Sequence, residues 1–453
     1  MIVFMSLSSC KRNVSIFSNE TTIIQGKITS LPSSKITFIG GGSQTFYASE
    51  SGDFLFKSNI SRSGIYRLII EEKEVLFFVK PGDSISLVSD FRTLQKNAIF
   101  KGSHSLENSF LSEMFSHKGE IFVDDYLSQF SLPYDSFSII ADQRDDFLTQ
   151  NVQEFQKKNG TFAESFNALI MKDIAFENAK FRLSYPINKK VMFKDSILLP
   201  ETYESFLQNL DIDNPENFLV PSFEEFILLY VDYLNYIKNE AEIPSLMTKW
   251  HKIDETFTNE RIRNFLFHNV FLEAADLDFD AFQNIAFVHE DFQKDTSFLR
   301  QEKRLIDALE HLMEGKVAPQ IIARDINSNE VNITSFNGKY KYIDVWATWC
   351  EPCIKEMPNL DELQSRYKEL PIAFLSISID DNEKVWKSFI KKKGVKGTHL
   401  RVDGGWNSDL ATKFNIESIP RFIFLDKENN IINANAPRPS DVRLHQIFEK
   451  YLY

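Results

Sequence analysis

The sequence predicts a multidomain protein with an N-terminal all-β sandwich, a central α-helical domain and a C-terminal α/β domain. Three observations lead there. A chain of 453 residues is too long for one compact core. Short alternating apolar runs dominate up to about residue 103, and helical spacing replaces them. From Val317 onward strands and helices alternate. The expected boundaries are 1–19 for a truncated leader and tether, 20–103 for the sandwich, 104–315 for the helical domain and 316–453 for the α/β domain.

Composition limits the function. Hydrophobic content of 43% with 25% charged residues is that of an ordinary globular chain. The 42 phenylalanines are assigned to core and helix faces rather than to a special role. A net charge of -13 argues against a nucleic-acid partner, which needs clustered Lys and Arg. No stretch is long and apolar enough to span a bilayer. Met1 to Leu7 is apolar and runs into Ser8-Ser9-Cys10, which resembles a bacterial lipobox, although the stretch is short and lacks a basic start. Cys10 is therefore the expected lipid anchor, in the periplasm or cell envelope. The sequence holds 3 cysteines, so assigning Cys10 to lipid leaves only Cys350 and Cys353, a pair suited to chemistry rather than stapling.

In the β region, Thr22–Ile28, Lys35–Ile39, Asp53–Phe56, Tyr66–Ile70, Val75–Val79 and Ser84–Val88 read as strands. Gly40-Gly41-Gly42, Ser51-Gly52 and Pro81-Gly82-Asp83 read as turns. The glycine triplet lacks the Gly-Lys-Ser/Thr continuation of a phosphate loop. In the helical region, Phe110–Phe115, Tyr134–Lys158, Phe162–Phe181 and Asn259–Ala275 carry helical spacing. Ser222 with Glu225 reads as a capping box opening a helix whose face is Phe223, Phe226, Ile227, Tyr230, Val231, Leu234 and Ile237. Asn209–Pro215 and Lys252–Thr258 read as connections.

The α/β region opens on a hairpin, with Ile321–Asp325 and Val331–Ile333 around Asn327-Ser328-Asn329. Strands follow at Lys341–Trp346 and Ile372–Ile379, with a helix from Cys350 to Leu370 that a kink at Pro358 interrupts. A second helix spans Asn382–Lys393 on a Val385, Trp386, Phe389, Ile390 face. A hairpin of Phe422–Leu425 and Ile431–Asn433 and a closing helix, Ser440–Tyr451, complete the order.

The chemistry lies at Trp346-Ala347-Thr348-Trp349-Cys350-Glu351-Pro352-Cys353, where a strand meets a helix. Two thiols two residues apart can close and reopen a small disulfide ring. Cys350 at the helix start faces unpaired N–H groups and the dipole, which stabilise an anion and lower a thiol pKa from its free value of about 8.5. Cys350 is accordingly the nucleophile, and Cys353, one turn inward and less exposed, the resolving thiol. There is no second Cys-x-x-Cys and no His-x-x-x-His, so a metal site is not expected. No cofactor beyond the redox disulfide is expected.

From roughly Lys316 to Tyr453 the chain resembles the thioredoxin superfamily, in its TlpA/ResA-like branch of exported thiol-disulfide oxidoreductases. The match rests on the Trp-Cys-Glu-Pro-Cys run, on Pro358 at the kink position, and on Ser418-Ile419-Pro420 before Arg421–Asp426. The run ending Val-Lys-Pro-Gly-Asp-Ser-Ile resembles the β-domain in front of thioredoxin-like lipoproteins of Bacteroidetes-type bacteria. The resemblance implies a thioredoxin fold and a buried acid, Asp344, that relays a proton to or from Cys353. It also implies a cis Pro420 that turns the Ile419 backbone toward the cysteines as an edge for an extended substrate. Trp346 and Trp349 would pack around the thiols. Trp349, Glu351, Pro352, Ile419, Pro420 and Arg421 form the expected substrate-binding set, with Arg421 favouring an acidic face. The implied partners are protein disulfides and a membrane thiol carrier as electron donor.

Two departures matter. Glu351-Pro352 stands where many relatives have Gly-Pro, and a carboxylate beside Cys350 opposes thiolate formation, tilting the pair toward a reducing potential. Asn429-Asn430 replaces a common turn glycine, which Asn tolerates. The competing readings are a partner-binding lipoprotein with a secondary redox domain and a thiol peroxidase. Against the peroxidase, Ile343 and Ala347 stand where a proline and a threonine would precede its cysteine.

Overall fold

A computed structural model describes residues 21–39, 43–94, 98–118, 126–193, 198–238, 245–336, 338–394 and 397–453. Cys10, the leader and the Gly40–Gly42 turn lie outside the described residues. Two compact units are present, residues 1–241 and 242–453, which divide the helical stretch between them.

In the first unit, β1 (Thr22–Thr29), β2 (Lys35–Ile39), β3 (Ser43–Tyr47), β4 (Asp53–Ser58), β5 (Gly64–Ile70), β6 (Lys73–Val79), β7 (Ser84–Asp90) and β8 (Ile99–Gly102) form two sheets. Each is four-stranded, in the orders β4-β1-β7-β8 and β3-β2-β5-β6. The expected alternation is visible in β4, where Phe54 and Phe56 are buried and Leu55 is exposed. Ile24, Ile36, Phe38, Leu68, Phe77 and Leu87 complete the core between the sheets. Sequence pattern does not reveal β3 or β8. The residues of β3 are mostly exposed, and it forms by antiparallel pairing to β2, Thr37 opposite Thr45. Gly52 and Gly82 supply the positive φ, +82° at each, that their turns require.

Strand β6 is buried on both faces. Phe77 and Val79 enter the sandwich core, while Leu76 and Phe78 join a second core with the helices. The helices of this unit are α1 (Ser105–Lys118), α2 (Tyr126–Gln129), α3 (Tyr134–Asn159), α4 (Glu164–Val191) and α5 (Phe223–Tyr236), of which α1, α3 and α4 line that core. Phenylalanine fills this interface. Phe110, Phe162 and Phe166 pack ring against ring at 4.9–6.2 Å, and Phe78 meets Phe166 at 5.0 Å. Helix α5 starts where expected, but the capping box does not form. The Ser222 hydroxyl instead donates to Asp173 Oδ1 at 2.5 Å, and the Ser222 amide donates to the same oxygen at 2.8 Å. Asp173 is buried in α4, and a buried carboxylate without donors is costly, so it takes the serine from the helix end.

In the second unit, α6 (Leu246–Thr256), α7 (Glu260–Leu277), α8 (Phe279–Phe292) and α9 (Thr296–Leu309) precede the α/β region. The expected connection Lys252–Thr258 is largely the end of α6. Ser245 and Thr248 form its capping box, and Trp250 and Ile253 are buried, a signal too short for periodicity to expose. A seven-stranded sheet follows, ordered β10-β9-β13-β12-β11-β14-β15. It contains β9 (Ile322–Arg324), β10 (Glu330–Asn332), β11 (Tyr340–Trp346), β12 (Ile372–Ser378), β13 (Thr398–Arg401), β14 (Arg421–Leu425) and β15 (Ile431–Asn433). Helices α10 (Glu351–Arg366), α11 (Glu383–Lys393), α12 (Asp409–Lys413) and α13 (Val442–Leu452) complete the thioredoxin-type α/β region. β11 is central, parallel to β12 and antiparallel to β14. β13, only Thr-His-Leu-Arg, was not legible and owes its existence to parallel pairing with β12. Val385 is exposed rather than on the buried face of α11, where Trp386 is fully buried. Asn429 takes the left-handed turn position, φ +69°. Among the described residues no helix is long and apolar enough to cross a membrane.

β6 is the edge of its sheet, and α1 covers it. The fully buried Asn108 amide mimics a neighbouring strand: its Oδ1 accepts from the Phe78 amide at 2.6 Å and its Nδ2 donates to the Phe78 carbonyl at 3.2 Å. Asn108→Ala leaves both backbone groups buried and unpaired, and should lower stability by about 2 kcal/mol. Urea unfolding of the full chain checks this through the midpoint of the transition.

Candidate active site

β11 brings its apolar run to the top of the sheet and stops at Trp346. A turn then passes to α10, for which Cys350 is the N-cap and Pro352 occupies a first-turn position where no N–H is needed. Cys350 and Cys353 are joined, with S–S 1.99 Å and Cα–Cα 5.3 Å. The Cys353 amide donates to Cys350 Sγ at 3.2 Å. An amide aimed at this sulfur is the arrangement that stabilises a thiolate once the bond is reduced. Burial does not separate the two: Cys350 is 4% and Cys353 3% exposed, so the expected contrast in exposure is absent from this disulfide form. Position at the N-cap is what distinguishes them.

The turn ahead of Cys350 is held from β12. Asp380, just past that strand and 3% exposed, accepts from the Thr348 amide at 2.9 Å and from the Thr348 hydroxyl at 2.7 Å. Ser378 donates to the same carboxylate at 2.7 Å. Sequence reasoning missed Asp380; an aspartate directly after an apolar strand is the one signal it left. Trp349, between Thr348 and Cys350, is 57% exposed and faces Trp406 at 6.1 Å, a second missed residue. Trp346 is buried and packs against Phe389 of α11 at 5.4 Å.

Asp344 lies in β11 opposite Ser376 and is buried. Burial pushes its carboxyl up to about 7, Ser376 acts against this through a hydrogen bond, and the charge of Glu356 adds to the rise. Glu356 was not singled out from the sequence, although a glutamate three residues after Cys353 shares its helix face. Its carboxylate accepts from the Ser440 hydroxyl at 2.7 Å and the Ser440 amide at 3.1 Å, tying α10 to the segment before α13. Glu351 is exposed and pairs with Lys355 at 2.9 Å. Helix α10 continues through Pro358, which sits on its exposed side.

The Ile419–Pro420 bond is cis. Both residues are half-buried, and Arg421 after them is 7% exposed, not a surface arginine. Burial lowers the guanidinium from its ordinary value, while Asp276 and Glu417 act in the opposite direction.

Residues 313–445 match the Redoxin family model. Over 136 residues the chain is 28% identical to the thiol-disulfide oxidoreductase ResA of Bacillus thuringiensis subsp. konkukian, covering 30% of this chain and 77% of that protein. A crystal structure of a Bacteroides vulgatus protein assigned as a thiol-disulfide oxidoreductase is 36% identical, covering 31% of this chain and 99% of the other, with TM-score 0.30. A solution structure with the same assignment from that organism is 40% identical, covering 30% and 88%, with TM-score 0.27.

Asp344 carries a stability cost whose sign follows from its pKa. An unfolded aspartate titrates near 3.9, so between about pH 4 and 7 the folded state holds the extra proton, and stability falls as pH rises through that window. Asp344→Asn mimics the protonated acid. Its gain in stability over wild type should be near zero at pH 4 and reach a few kcal/mol, at most about 4, at pH 8. Calorimetric melting at both pH values checks this; an equal gain at both is the contrary result.

Proposed function

We propose that this chain, whose C-terminal region belongs to the ResA-like thiol-disulfide oxidoreductases of the thioredoxin superfamily, is an exported reductase of protein disulfides. The observation that carries the reading is the Cys350–Cys353 disulfide capping α10, with a buried acid of neutral-range pKa in the strand that leads into it.

The reduced Cys350 thiolate attacks one sulfur of a substrate disulfide. The new bond joins Cys350 Sγ to that sulfur, the substrate S–S bond breaks, and the other sulfur leaves as a thiolate that takes up a proton. Cys353 then gives its proton to Asp344 and attacks Cys350 Sγ. The Cys350–Cys353 bond forms, the mixed disulfide breaks, and the second substrate thiolate takes a proton. Two electrons have passed from the enzyme dithiol to the substrate. A carboxyl near 7 can accept and return a proton at neutral pH. Asp380 acts on this step only by holding the Thr348 turn.

Substrate is read by Trp349, Glu351 and Pro352 on one side and by the Ile419, Pro420 and Arg421 segment on the other. Glu351 opposes the Cys350 thiolate, and Lys355 offsets part of that charge, though both are exposed and the pair is weak. The balance favours a reducing couple, re-reduced by a membrane thiol carrier. Cys10 is the lipid anchor that keeps the protein at the cell envelope.

Cys353→Ala expressed in cells should accumulate mixed disulfides through Cys350, and Cys350→Ala should accumulate none; gel analysis with and without reductant reads the difference. Absence of trapped species with Cys353→Ala would favour the reading in which the redox domain is secondary to partner binding. The purified wild type should equilibrate near the potential of thioredoxin, about −270 mV, and a value above the glutaredoxin range of about −200 to −230 mV would reverse the direction.

A further inference from the structure

The cis-proline loop is one wall of a cavity of about 470 Å³. Ser418, Pro420 and Arg421 line this wall, Asn433 and Asn435 come from the β15 end, and Arg438 and Asp441 from the segment before α13. Helices α7 and α8 close the other side through Asp276, Asp278 and Asn284. The segment that supplies Arg438 and Asp441 is itself tied to α10, because Ser440 between them donates to Glu356.

Its lining carries Asp276, Asp278 and Asp441 against Arg421, Arg438 and Arg443, but these charges are not paired one to one. Arg443 is taken by Asp441, at 2.6 and 3.0 Å, and lies 4.0 Å from Asp278. Arg421 is different. It is 93% withdrawn from solvent, being 7% exposed, yet among the described residues nothing comes within hydrogen-bond or ion-pair distance of its guanidinium. Asp276, exposed at the rim, and Glu417 act on it only through space. Arg438 is exposed at the mouth, also without a side-chain partner among the described residues. A guanidinium carries a planar fork of donors; no described side chain or carbonyl uses that of Arg421, so the fork is left open to the cavity and to whatever enters it. The group that matches the fork is a carboxylate.

We propose that this cavity is a subsite for a carboxylate carried by the substrate protein close to its disulfide, with Arg421 as the specificity-determining residue and Arg438 guiding entry. The inference rests on the thiol-disulfide oxidoreductase reading and gives that site a substrate class: disulfides flanked by Asp or Glu. Helices α7 and α8 thereby contribute to substrate choice, since they form the wall of the cavity across from Arg421.

The test follows single-turnover oxidation of the full-length reduced chain by two disulfide-bonded peptides that differ only in Glu or Gln near one cysteine, the second-order rate constant being taken as kcat/KM. For wild type at low salt, kcat/KM should favour the Glu peptide about tenfold, and the preference should shrink as ionic strength rises. It should fall to about one in Arg421→Gln and recover in part in Arg421→Lys. Equal kcat/KM for the two peptides in wild type overturns the subsite and leaves the oxidoreductase reading standing. Turnover of neither peptide overturns the oxidoreductase reading and the subsite with it. Because the deciding comparison is made on wild type, it does not depend on how the Arg421 variants fold.

Discussion

The amide groups at the first turn of α10 have no partners within the helix, and a sulfur at the N-cap gives them one. The chemistry of the α/β region depends on that contact being held in place. β11 must end at Trp346 for Cys350 to fall at the cap, and the turn between them must not drift. Asp380 fixes the turn, and Asp380 is available only because β12 lies parallel to β11 and ends beside it. The sheet order is thus part of the active site, and a one-residue slip in the β11–β12 register would move the carboxylate off Thr348.

Among the buried charged groups of this unit, two sit at a cost that packing alone would not justify. Asp344 is desolvated in the central strand, and Arg421 is desolvated beside the cis proline. Hydrophobic residues at either place would make a more stable sheet. The first holds a proton near neutrality, and the second presents a guanidinium fork that no described residue fills. Glu356 joins them to one system, since its charge acts on Asp344 and its hydrogen bonds to Ser440 reach the segment bordering the Arg421 cavity.

The first unit is built on different terms. Alternation is clean in strands such as β4 but not in β6, which is buried on both faces, and phenylalanine rings pack both between the sheets and between β6 and the helices. Part of the phenylalanine that stands out in the composition goes into these cores, and more of it into the second unit, as at Phe267, Phe271, Phe282, Phe422, Phe424 and Phe448. The polar exceptions inside it, Asn108 on the β6 edge and Asp173 on Ser222, serve to satisfy backbone and helix-end groups.

Alternation and helical spacing were enough for most strands and helices, because a buried face imposes its period on the residues. They failed for β3, β8 and β13, which are short or exposed and exist through pairing with a neighbour, and for the α6 region, whose buried residues Trp250 and Ile253 are too few to show a period. The local redox unit was legible for the same reason that motifs are: Cys350, Pro352 and Cys353 act within one helical turn of each other, whereas Asp344 was pointed to by the family resemblance. What depended on distant chain segments was invisible. The hold of Asp380 on Thr348, the link from Glu356 to Ser440, the ring of Trp406 beside Trp349 and the unpaired burial of Arg421 each join residues separated by tens of positions. The sequence by itself determined the chemistry, because covalent spacing and helix geometry act locally. Only the tertiary structure decided what surrounds that chemistry, because desolvation and charge pairing depend on which surfaces the fold brings together.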